Sequence, residues 1–217
     1  MRINGNVKGG LLLMSLLISG NIVAGNASNE EVKSHRILVM SMQDNVKSNY
    51  FVTDMLAEDT QINPDSVCYI YNKVIEDNLT QLAQKSKASY TFIDGNNIKG
   101  GGEDILDDIK TSGEAENQAS DLTFVNASRL KGLLDKAGAD YLLLLDTHYL
   151  KYQEVPFKTI FHYVNYSLYD GNKQKLAQGS NYFTSINPQS EQQMLKSSRK
   201  STAKMLDNVE NTLSARR

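Results

Sequence analysis

The block from Asp140 to Thr184 constrains the fold more than any other stretch of this chain. Tyr141-Leu142-Leu143-Leu144-Leu145 is apolar at every position, the pattern of a central strand covered on both faces. Phe157 to Tyr169 alternates and is rich in β-branched and aromatic residues, which suits a second strand. Gly171-Asn172 reads as a two-residue hairpin turn, and Lys175 to Phe183 as the returning strand. Three consecutive antiparallel strands follow from this pattern.

The rest of the chain supplies helices and two more strands. Arg36 to Met42 is a short apolar run with polar flanks, read as a buried first strand. Tyr50, Phe51, Val52, Met55 and Leu56 suggest a short helix. Asp65 or Ser66 then caps a strongly periodic helix with Val67, Ile70, Tyr71, Val74, Ile75, Leu79 and Leu82 inside. Lys73, Glu76, Asp77 and Gln81 fall outside that stripe. Ser89 to Ile93 reads as a second strand. Asn126 or Ser128 caps a helix carrying Leu130, Leu133, Leu134 and Ala137, which stops at Gly138. Ser190 to Leu213 reads as one long amphipathic helix. Between these elements, Asp94 to Ser120 is rich in Gly, Asp, Glu and Asn and lacks a sustained apolar pattern. It is expected to be a flexible excursion with one helical turn near Ile105, Leu106 and Ile109. The predicted class is α/β (α+β): a single mixed sheet of about five strands, helices packed mainly on one face, in the order β-α-β-α-β-β-β-α. A single domain is expected over 36–217, with the excursion at 94–120.

The start of the chain has a different character. Arg2 and Lys8 precede the apolar run Leu11 to Ile18, and small residues follow at Val23-Ala24-Gly25-Asn26-Ala27. That order is a secretory signal peptide over 1–27, with cleavage expected after Ala27 or Gly25 and a polar linker at 28–35. The run is too short for the roughly 20 residues that cross a bilayer. With 23 basic residues against 25 acidic, two of the basic ones in the leader, the charge argues against a nucleic-acid partner. Cys68 is the only cysteine, so no internal disulfide forms, and its place in a helical apolar pattern predicts a buried thiol. No cysteine stands directly at the end of the leader to carry an acyl anchor. A soluble periplasmic or secreted protein is expected, with no transmembrane segment after processing.

Few candidates for chemistry survive. Gly100-Gly101-Gly102 is followed by Glu103-Asp104, which repels phosphate, and lacks the Lys-Ser/Thr pair of a phosphate loop. Asp94-Gly95-Asn96 and Asp170-Gly171-Asn172 open like calcium loops, but Ile98 and Gln174 occupy the fifth position and no glycine falls at the sixth. Glu103, Asp104, Asp107 and Asp108 read as a solvated acidic face. No Gly-x-Ser-x-Gly elbow and no His-Glu-x-x-His motif is present. Asn78-Leu79-Thr80, Asn126-Ala127-Ser128 and Asn165-Tyr166-Ser167 match a glycosylation acceptor, which matters only in a eukaryotic source, and two of the three fall in expected helix or strand. A turn centred on Val155 would put His148 opposite His162 with Asp146 along the same face, a set able to hold a divalent metal. A slip of one residue would separate them. No cofactor is expected. In the same register one sheet face carries Tyr141, Leu143, Leu145, Tyr149, Phe161, Tyr163 and Tyr169. The other carries Leu142, Leu144, Ile160, Val164, Tyr166 and Leu168. The first face is too apolar to be fully wet, so it packs under the 94–120 excursion or meets a partner. Its aromatic residues Tyr141, Tyr149, Phe161, Tyr163 and Tyr169 are the candidate interaction residues.

The join Leu133-Leu134-Asp135-Lys136-Ala137-Gly138-Ala139-Asp140-Tyr141-Leu142-Leu143-Leu144, with its Gly-Ala-Asp-Tyr helix end, Tyr-Asp-Gly hairpin and terminal helix, resembles a group of bacterial envelope domains. These are the N-terminal domain of the TolB family, the outer-membrane activators of penicillin-binding proteins, and the periplasmic part of the curli secretion channel. The likeness covers Arg36 to Leu213. It implies a domain that does no chemistry and docks onto other envelope proteins or assembles into rings. The missing lipobox cysteine departs from many members, and the missing transmembrane hairpins imply no pore. The expected function is therefore that of a noncatalytic exported envelope module that binds another envelope protein or itself. Periplasmic binding of a small ligand or metal is the alternative.

Overall fold

The computed structural model describes residues 34–85, 90–95, 98 and 102–216. The expected leader, most of the expected linker, and Asn96, Gly100 and Gly101 lie outside these residues.

In chain order the elements are β1 (His35–Ser41), β2 (Val46–Ser48), α1 (Thr53–Thr60), α2 (Val67–Lys85), β3 (Tyr90–Asp94), α3 (Glu103–Leu106), β4 (Lys110–Ser112) and β5 (Ala119–Asp121). They continue with α4 (Ala127–Ala137), β6 (Tyr141–Gln153), β7 (Thr159–Asp170), β8 (Lys175–Ser185), α5 (Glu191–Ser197) and α6 (Arg199–Ser214). The main sheet runs β3-β1-β6-β7-β8, and β2 pairs with β6 beyond the end of β1. β1 is parallel to β3 and β6, while β6, β7 and β8 form an antiparallel meander. The sheet is therefore mixed, as the sequence predicts. β4 and β5 pair as a separate ribbon.

Each face of the sheet has its own apolar core. On one face α1, α2, α5 and α6 bury Leu56, Tyr71, Ile75, Leu79, Met194, Met205 and Val209 against Val39, Leu143, Leu145, Ile160 and Leu168. On the other, α4 with Ile105 and Ile109 covers Leu38, Leu142, Leu144 and Tyr169. Four described helices on one face and two on the other match the expected bias. Burial from both sides is why Ile37 to Met40 and Leu142 to Leu145 read as unbroken apolar runs.

Local chemistry sets the element ends. Asn126 Oδ1 accepts from the amides of Ser128 and Arg129 at the start of α4, and Gly138 closes it at φ 59°, where a Cβ is strained. Entry to α2 differs from expectation. Asn63, not Asp65 or Ser66, caps a 3-10 turn at Pro64–Ser66 that leads into the helix. The terminal helix is broken at Ser198, because Asn78 of α2 donates to the Leu195 carbonyl at 2.9 Å and to Ser198 Oγ at 2.9 Å. The β7–β8 turn is wider than two residues: Asp170 Oδ1 gathers the amides of Asn172 and Gln174, and Lys173 takes the positive φ.

Two side chains in α2 sit differently from the sequence reading. Glu76 is buried rather than on the wet side, accepting from Ser41 Oγ at 2.9 Å at the end of β1. Cys68 is half-buried, not sealed in the core. Among the described residues no helix is long and apolar enough to cross a membrane.

Candidate functional site

The β6–β7 pairing decides which side chains meet. From Tyr141 to Leu145 the pairing runs Tyr141–Asp170 to Leu145–Tyr166; from Thr147 onward it runs Thr147–Asn165 to Gln153–Thr159. Asp146 is the extra residue of a β-bulge between the two registers. A bulge inverts the alternation, so the strand shows odd-numbered residues to α2 and α6 before it and even-numbered ones after it.

That inversion corrects the expected faces. Tyr141, Leu143 and Leu145 belong with Ile160, Val164, Tyr166 and Leu168 under the helices, not with the aromatic set. Tyr141 packs edge-on to His35 at a centroid distance of 5.5 Å. Leu142 and Leu144 face α4. Beyond the bulge Tyr149, Phe161 and Tyr163 share the face opposite the large helical layer, as expected.

There the register places Tyr149 of β6, Tyr163 of β7 and Tyr182 of β8 in one row across three strands. Lys47 of β2 extends the row on the Tyr149 side. The Tyr163 and Tyr182 rings lie 5.6 Å apart, and Phe161 sits 6.2 Å from Tyr163 and 5.9 Å from Tyr182. Tyr182 is 57% exposed; Tyr149, Phe161 and Tyr163 are partly exposed. Burial and the nearby Glu116 carboxylate hold the Tyr163 phenol above its ordinary pKa. Tyr182 was not singled out in the sequence; a second register shift, between Leu168 and Tyr169, brings it opposite Tyr163.

The neighbouring part of this face is roofed. The 3-10 turn Ala115–Asn117 and β5 lie over it, so the excursion contributes a built ribbon as well as loop. Asn165 Nδ2 donates to the Ala115 carbonyl at 2.8 Å, Ser180 Oγ to the Glu116 carbonyl at 2.7 Å, and Lys151 Nζ meets Glu116 Oε1 at 2.6 Å. Asp146 anchors the ribbon, accepting from Ser120 Oγ and, at 2.6 Å, from Ser167 Oγ. Burial pushes its carboxyl up to about 6 against the pull of those hydroxyls. Tyr169 lies beneath β5 with its hydroxyl donating to the Ser120 carbonyl. It is a roofed residue, not part of the exposed row.

His148 and His162 do come together, though not as direct partners. His148 opposes Val164 and His162 opposes Leu150, and the two-residue slide leaves the rings on one face at 5.7 Å. They are sealed beneath α2, with Tyr71 5.0 Å from His148 and Phe183 stacked 4.4 Å from His162. His162 Nε2 meets Ser185 Oγ at 3.0 Å, whereas neither ring nitrogen of His148 nor the Tyr71 hydroxyl finds a partner among the described residues. Burial holds both imidazoles neutral: His148 falls well below its ordinary value and His162 drops to about 3. The bulge turns Asp146 to the other side of the sheet, so the expected three-residue metal set is not assembled.

No family model matches the chain, and no curated protein matches it in sequence. Comparison with solved structures does give matches. A hypothetical protein from Chlamydia trachomatis overlays with a TM-score of 0.50 at 12% identity, covering 84% of this chain and 99% of that one. A PelC dodecamer from Paraburkholderia phytofirmans matches at a TM-score of 0.39 and 8% identity, over 82% of this chain and 89% of that one. A lipoprotein from Neisseria meningitidis matches at 0.34 and 14%, over 83% and 99%. The first of these shows a shared fold; at such identities the likeness extends to nothing else.

Proposed function

We propose that this chain is a noncatalytic exported protein of a bacterial envelope that docks onto another envelope protein. The docking face is the sheet surface bearing Tyr149, Phe161, Tyr163 and Tyr182. The observation that carries this reading is the tyrosine row across three strands, beside the roofed part of the same face. Aromatic side chains with polar tips bury large area at small entropic cost, which is why interfaces are enriched in them. The leader pattern of residues 1–27 and the resemblance to envelope docking domains support the location. The metal-binding alternative drew on His148, His162 and Asp146, which the bulge divides between the two faces.

In vivo crosslinking in the native envelope, followed by mass spectrometry, tests the proposal. Wild-type protein is expected to yield a specific protein adduct, and Tyr149→Ala with Tyr163→Ala to lose most of it while helix content stays unchanged. Should that pair disturb folding, Tyr182→Ser at the exposed end of the row serves instead. An adduct of undiminished yield from either folded variant overturns the reading. Mass spectrometry of the purified protein checks the leader, with a mature start at Asn26 or Ser28 expected.

A further inference from the structure

β8 is the last strand in the order β3-β1-β6-β7-β8, so its outer row of backbone amides and carbonyls has no sheet partner among the described residues. Such an edge templates the addition of another strand unless it is short, charged or interrupted by proline. β8 runs from Lys175 to Ser185; its one irregularity lies at Leu176, and from Ala177 to Ser185 it pairs in a single register with neither a charge nor a proline. An open groove of about 560 Å³ lies between it and the start of α6. Ser180 to Thr184 line that groove consecutively. A cavity on one face of a strand is lined by alternate residues, so consecutive lining means that the groove opens along the edge itself. The opposite wall carries Lys200 and Lys204, one helical turn apart on a single face of α6. Both are exposed and take no part in the ion pairs of the described residues, which are Lys73–Asp77, Arg129–Asp104, Arg129–Asp108 and Lys151–Glu116.

We infer that the outer edge of β8 accepts an extended acidic segment of a partner protein as an added strand. The segment's backbone pairs with β8, and its carboxylates lie over Lys200 and Lys204. Main-chain pairing gives such a complex its affinity, and the side chains beside the edge give it selectivity. Charge decides between this occupant and a second copy of the chain. A two-fold β8–β8 pairing lays the basic stretch around Lys200 and Lys204 of both copies along one seam, cation beside cation. An acidic segment instead supplies the missing counter-charge. The inference shares the binding role proposed above but concerns the backbone edge and the Lys200–Lys204 wall rather than the aromatic face; Tyr182 borders both, so the lysine pair and the Tyr149–Tyr163 pair are the variants that tell the two apart.

The test uses the full chain and two synthetic ten-residue peptides of alternating Thr/Val and Glu, or Thr/Val and Lys, with binding followed by fluorescence anisotropy and amide exchange. The acidic peptide is expected to bind about tenfold or more tightly than the basic one, to weaken with salt, and to slow exchange at alternate amides of β8. Lys200→Glu with Lys204→Glu is expected to reverse the preference, while Tyr149→Ala with Tyr163→Ala leaves it unchanged. No measurable acidic-peptide binding, equal affinity for both peptides, or protection away from β8 overturns the proposal. So does a concentration-dependent dimer that protects the β8 edge without peptide.

Discussion

At Gly179 the edge strand passes so close to the core that no side chain fits. A Cβ there would stand 2.6 Å from the Tyr166 hydroxyl and 2.7 Å from its Cζ. Tyr166 cannot swing aside freely, because its hydroxyl accepts from Asn208 Nδ2 of α6 at 2.7 Å and the ring is buried. Gly179→Ala is expected to cost about 1–3 kcal/mol, read from urea midpoints, with Tyr166→Leu in the same background recovering part of the loss. An unchanged midpoint for Gly179→Ala would mean that this approach is looser than drawn. Asp146 is the other residue on which much depends. It is buried and accepts two hydroxyl bonds, so Asp146→Ala leaves Ser120 and Ser167 without their acceptor at an expected cost of about 2–3 kcal/mol. Asp146→Asn keeps the shape and the hydrogen-bonding capacity and is expected to stay within about 1 kcal/mol of wild type at neutral pH.

At the scale of elements, Asp146 ties the β4–β5 ribbon and the Ala115–Asn117 turn to the sheet. Amide exchange at 115–121 is therefore expected to quicken in Asp146→Ala while β7 and β8 remain protected; uniform quickening would show that ribbon and sheet open together. The same residue explains where the sequence was readable and where it was not. The periodicity of α2 and α4, the Asn126 and Gly138 caps, and the meander of β6, β7 and β8 are local patterns, and each stands where its residues predict it. The bulge is not local. Nothing in Leu144-Leu145-Asp146-Thr147-His148 announces an extra residue, yet it swaps Tyr141, Leu143 and Leu145 to the helical face and moves Asp146 away from the imidazoles. Glu76 was misread for a similar reason. A charged residue beside a helical stripe is usually wet, and the Ser41 hydroxyl that meets it comes from the end of β1, far away in the sequence. Phe161, Tyr163 and Tyr149 were found because strand alternation past the bulge holds to the end of the hairpin. Tyr182 was less legible, because its pairing with Tyr163 depends on a second register shift, between Leu168 and Tyr169, where β7 meets β8.

For the whole molecule, the buried titratable groups set opposing responses to acid. His148 and His162 are held neutral in the fold and regain ordinary values near 6.5 when it opens, so their contribution is complete above about 6.5 and is lost as pH falls. Glu76 and Asp146 act the other way. Burial pushes Glu76 up to about 7 from 4.5 and Asp146 up to about 6 from 3.8. The folded protein thus holds their protons at a pH where the unfolded chain releases them, and their contribution fades as pH rises through those folded values. Between pH 6.5 and 4.5 the unfolded state gains protons on two imidazoles while the folded state gains them on two carboxyls, and the net slope of stability is small. Below about pH 4.5 the carboxyls protonate in the unfolded chain as well, and the histidine term then drives stability down. Urea unfolding at half-unit steps is expected to show a shallow profile to about pH 4.5 and a steep fall beneath it. Glu76→Gln with Asp146→Asn removes the offset. That variant is expected to lose about 2–3 kcal/mol per pH unit already between 6 and 4.5, since each unbalanced proton is worth about 1.4 kcal/mol per unit. If wild type falls as steeply as the double variant over that range, the four groups do not oppose one another in this way. The two imidazoles beneath α2 and the two carboxyls at the ends of β1 and the bulge of β6 would then titrate as ordinary surface groups, in conflict with the burial that places them.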